Sequence, residues 1–90
     1  MAFEGMDVDQ VTSIGNQLKT QADQINNVIA AINGLVSQLP GVWQGRDATE
    51  FESWWNNQHK PALVNAATAV NGLGVSAINN ATAQANVSSS

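Results

Sequence analysis

The chain has no cysteine, which removes disulfides and thiolate metal centres from its stability and its chemistry. Histidine occurs once, as His59. Its nearest carboxylates, Glu52 and Asp47, lie about two to three helical turns away, so no metal site is expected. Cations are scarce: Lys19, Arg46 and Lys60 stand against seven carboxylates, for a net charge of -4. That balance argues against a nucleic-acid partner, whose phosphates demand a basic face. No uninterrupted apolar run reaches about 18 residues, and on that ground a membrane-spanning helix is not expected. Residues Met1 to Asp7 have neither the cationic start nor the apolar stretch of a cleaved signal peptide. By composition alone the chain reads as a soluble cytosolic protein. Strand alternation is missing throughout, and so is any repeat longer than seven residues. No serine–histidine–aspartate arrangement, phosphate-cradling loop or basic patch occurs, so neither catalysis nor a cofactor is expected.

What is present is helical periodicity on both sides of one bend. Eleven Asn and eight Gln carry much of the polar surface; they make no i,i+4 ion pairs, which leaves burial as the source of stability. Residues 1–6 read as a loose arm. Asp7, with Gln10 three residues on, has capping-box spacing and opens a helix over about 7–39. Its apolar residues step by threes and fours. Val11, Leu18, Ile25, Ile32 and Leu39 repeat at sevens like a coiled-coil seam, and Val28 and Leu35 widen the stripe. Gly15 and Gly34 weaken this helix by about 1 kcal/mol each. The bend is 40–46, where Pro40 lacks a backbone donor and Gly41 and Gly45 permit unusual dihedrals. It holds a large ring, Trp43. A second helix runs over about 47–85, capped by Asp47 with Glu50, thinned by alanine and kinked near Pro61. Gly72 and Gly74 are a second weak point, and 86–90 a loose tail.

These elements predict an all-α chain of one domain, two long antiparallel helices in a hairpin. A two-helix hairpin buries one stripe per helix and leaves its outer flank wet, so a second hairpin should complete a four-helix bundle. The residues expected at that dimer interface are Val11, Ile14, Leu18, Ile25, Ile29, Ile32, Leu63, Val70 and Leu73.

Trp43-Gln44-Gly45, near the midpoint between two heptad helices, resembles the signature of the WXG family of small type VII (ESX) secretion substrates, the ESAT-like proteins of Gram-positive bacteria. Asp47-Ala48 followed by Phe51 is similar to that family's continuation into the second helix. The resemblance covers nearly the whole chain. It implies a hairpin made in the cytoplasm, pairing with itself or a sibling, and exported folded without a cleaved signal peptide by a membrane-bound secretion ATPase. It also implies that Trp43 and Gly45 form the bend the machinery reads, and that the tail, at Ile78 and Val87, is free to engage the ATPase. The family's Tyr-x-x-x-Asp/Glu export signal has no counterpart, because there is no tyrosine and no acid after Glu52. The chain then leaves on a partner's signal or uses a different tail.

Each feature also has a plainer role. Trp43 can cap the bundle end. Trp54 and Trp55 are adjacent, so one faces the core and the other a seam or solvent. His59 reads as a partly exposed residue at the kink, and Asp47, Glu50 and Glu52 as the acidic start of a helix. An alternative function is disruption of membranes by dissociated hairpins, although no basic face accompanies the apolar stripe. A cytosolic bundle that is never exported is a further one.

Overall fold

The computed structural model describes residues 5–89, with side chains through Val87. The first four residues of the arm expected at 1–6, and Ser90, lie outside that range. Helix α1 spans Val8–Gln38, and a single 3-10 turn, Leu39–Gly41, ends it. Helix α2, Arg46–Trp54, passes through one wide π-helical turn, Trp55–His59, into α3, Lys60–Ser89. The helix therefore continues past residue 85 to Ser89, over described positions where a loose tail was expected. Among the described residues there is no strand. The hairpin is a rod of 66 × 18 × 16 Å.

Asp7 caps α1 as its spacing predicts, Oδ1 accepting the N–H of Gln10 at 3.1 Å. The second cap differs. Gly45, which has no side chain, is the N-cap of α2, and Asp47 lies inside the first turn. Glu50 instead accepts from Arg46 Nε at 3.2 Å, an exposed pair.

Pro61 does not break the second helix. Its ring would strike the carbonyl four residues back, at Asn57, in a regular turn. The chain relieves this by widening at Trp55–His59, where the N–H of Lys60 reaches back five residues to the carbonyl of Trp55.

The two long helices meet along small residues. In α1 the buried row is Gly15, Ala22, Ile29 and Val36, and opposite it stand Ala48, Trp55, Ala67, Gly74 and Ala81. Gly74 is thus a crossing point and not a weakness. A Cβ on it would lie 2.6 Å from the carbonyl oxygen of Gly15. The large buried side chains gather toward the bend, where Ile29, Val36 and Trp55 form a cluster flanked by Ile25, Ile32 and Leu63. Trp55 is the core member of the tryptophan pair, and its indole N–H donates to Asn33 Oδ1 at 3.1 Å; Lys60 Nζ donates to the same oxygen at 3.3 Å.

On hydropathy the exclusion of a membrane span does not hold. By length and composition, the continuous helix Arg46–Val87 is long and apolar enough to cross a membrane. Alanine and valine carry that apolarity, with no formal charge after Lys60. Asn65, Asn71, Asn79 and Asn80 interrupt it, and each would take an amide into hydrocarbon.

Candidate functional site: an apolar flank and an aromatic tip

Two surfaces stand out. The first follows from helix geometry. In an antiparallel pair of helices, positions three ahead of a buried residue, four behind it, or just behind it fall on the same flank in both. Around the buried rows those positions are Val11, Ile14, Leu18, Ile25, Val28, Ile32 and Leu35 in α1, and Leu63, Val70 and Leu73 in α3. The opposite flank carries Thr12, Lys19, Asn26, Asn33 and Asn71 among a few aliphatics. Eight of the nine residues expected at a dimer interface share the apolar flank. Ile29 is the exception, buried inside the hairpin. Val11, Leu18, Ile25, Ile32, Leu63 and Val70 are half-buried along the inner edge, whereas Ile14, Val28, Leu35 and Leu73 are exposed. Leu35 and Leu73 reach 62% and 60%.

The second surface is the tip. The N–H groups of Val42 and Trp43 both donate to the carbonyl of Leu39, at 2.9 and 2.7 Å, so the end of α1 is closed by backbone alone. Gly45 then takes φ 114° and ψ -174°, a conformation reserved for glycine. Gly41 has no such dihedral. Gly45 turns the chain so that Trp43 lies over α2, its ring centroid 5.6 Å from that of Phe51 at a tilt of 58°. Trp43 remains 38% exposed, standing between two grooves. The larger, about 450 Å³, is lined by Trp43, Asp47, Glu50, Phe51, Ser53 and Trp54. The smaller, about 280 Å³, lies against Pro40, Gln44, Gly45 and Thr49. Phe51 and Trp54 occupy the apolar-flank positions of α2, so the larger groove continues that flank to the end of the rod.

A turn built on Trp-x-Gly, between helices of this length, is the decisive feature, and the family model for proteins of 100 residues with WXG matches residues 5–87. The chain belongs to the WXG100 family. No curated protein and no solved structure matches it. Membership makes it a small helical protein of the ESX-secreted type, of a family whose members pair with one another and lack a signal peptide. The WXG residues are Trp43 and Gly45, and in this WXG100 chain Gly45 sets the backbone while Trp43 keeps an open face.

The two tail positions separate. Ile78 is half-buried, packed over Gly15 of α1, whereas Val87 is 70% exposed. His59 is exposed, edge-on to Trp54 at 6.3 Å. Among the described residues no group of acids and histidine can hold a metal. Sequence reasoning missed the grooves on either side of Trp43; the only signal was the clustering of Trp43, Phe51 and Trp54 within three turns.

Proposed function

We propose that this WXG100 protein is a type VII secretion substrate exported as a folded dimer and acting by protein–protein contact, as effector or as export partner. The continuous apolar flank supports this most directly. It runs along the rod, it is too long for a chance patch, and no element among the described residues packs over it. Val11, Ile14, Leu18, Ile25, Ile32, Leu63, Val70 and Leu73 lie at that interface with an identical or sibling hairpin, and Ile29 supports it from beneath. Trp43, held open by Gly45, is the feature read by the membrane-bound ATPase, with Val87 a second contact. Lacking tyrosine, the chain travels on a sibling's signal or on its own altered tail.

The test is export. The wild-type protein should reach the culture supernatant only when the secretion ATPase is intact, and Trp43→Ala should stay dimeric yet remain in the cell. Export that ignores the ATPase ends the proposal. A second reading, membrane disruption, has the hydropathy of Arg46–Val87 on its side; it requires dye release from anionic vesicles at neutral or acidic pH.

A further inference from the structure

We infer that the larger groove at the tip takes a cationic side chain, an arginine or lysine on an apolar segment of a protein partner. This rests on the reading of the tip as a recognition surface and names what it recognises. Three aromatic rings, Trp43, Phe51 and Trp54, line the groove, and no cationic residue does. An aromatic face carries partial negative charge and attracts a guanidinium or ammonium within about 6 Å of its centroid. Two carboxylates, Asp47 and Glu50, complete the lining.

These carboxylates are in different states. Glu50 is engaged by Arg46 at 3.2 Å. Asp47 has no hydrogen bond or ion pair among the described residues, and it does not cap its helix. A free carboxylate beside three rings disfavours an anion and wastes its charge on a purely apolar ligand. A long cationic side chain satisfies both halves, its methylenes on Phe51 and Trp43 and its head at Asp47. About 450 Å³ is room for one or two such side chains, within the ordinary range of ligand sites. Trp54, 59% exposed, forms the outer wall and joins the apolar flank, where an apolar neighbour on the partner's segment would rest.

The experiment titrates the protein with an acetylated, amidated heptapeptide holding two arginines between leucines. The same peptide with citrulline for arginine is the control. Indole N–H resonances of Trp43 and Trp54 should shift and saturate, and those of Trp55 should not. Asp47→Asn and Trp54→Ala should each weaken binding about fivefold or more. Salt at ~0.5 M should weaken it similarly. Asp47 and Trp54 are exposed, so circular dichroism should show unchanged helix. An absence of shifts up to ~5 mM peptide, equal binding of the citrulline peptide, or an indifferent Asp47→Asn would overturn the inference. If the peptide fails while Trp43→Ala still blocks export, the cation falls and the tip reading stands. If the peptide binds while export ignores Trp43, the outcome is reversed.

Discussion

A Cβ built on Gly74 would meet Gly15 O at 2.6 Å, Lys19 Cγ at 2.7 Å and Lys19 N at 3.1 Å. Two of those three atoms are backbone of α1, so relief requires the helices to part. Gly74→Ala should therefore destabilise the hairpin by about 1–3 kcal/mol. The thermal midpoint, followed by circular dichroism, should fall by roughly 4–8 °C for each kcal/mol. Gly34 sits in the same helix as Gly15 with nothing within 4 Å of a Cβ. Gly34→Ala should raise the midpoint, by about 0.5–1 kcal/mol of helix propensity. In the sequence these glycines are indistinguishable, each a helix-weakening residue in an apolar pattern. Which of them touches another backbone is decided by a crossing between residues 59 positions apart, and local propensity carries no information about it. Gly45 was legible because a bend of that kind needs a glycine. Asp47 misled for the converse reason: its spacing to Glu50 is that of a cap, but Gly45 had already turned the chain two residues earlier.

Within the second helix, the wide turn preserves a register that Pro61 would otherwise break. Trp55 and Ala67 both face α1, twelve residues apart, whereas three regular turns take about eleven. A π-helical turn advances less per residue than an α-helical one, and over Trp55–His59 the shortfall is about one residue's rotation. Deleting Gln58 together with Pro61→Ala should thus yield an unbroken α-helix with both faces aligned. Cooperative unfolding and the buried emission of Trp55 should survive. Deleting Asn57 and Gln58 together turns Ala67 by about 100° from α1, and should cost the cooperativity and expose Trp55. That something happens near Pro61 was plain from the sequence; that it would be a widened turn was not, because the demand comes from the facing helix. The heptads tell a similar story. The row that large apolar residues single out, Val11 to Leu39, is the half-buried edge of the hairpin, and the row that faces α3 starts with Gly15 and Ala22, which hydrophobicity cannot mark.

A compact chain of 9.5 kDa exposes roughly 5,000 Å² and has a radius of gyration of about 12 Å. This rod exposes 6447 Å² and has a radius of 20.0 Å. The surplus, on the order of 1,400 Å², exceeds the roughly 800 Å² each partner contributes to a standard interface. It is not evenly spread, because one flank is aliphatic and the other amide-rich, and so a partner has one side on which to pack. Leu35 lies on that flank near the bend and Leu73 beside the Gly15–Gly74 crossing, both mostly exposed and outside the buried rows. Leu35→Glu with Leu73→Glu should consequently leave the single hairpin's packing alone while placing charge in the seam, where an unpaired carboxylate costs several kcal/mol. Sedimentation should show wild type as a dimer at micromolar concentration and the double variant as a monomer with lower, concentration-independent thermal stability. The matching change on the other flank, Asn26→Glu with Asn71→Glu, should leave the dimer intact. If the two pairs of substitutions have equal effects, or if wild type sediments as a stable monomer, the apolar flank is not where a second hairpin docks.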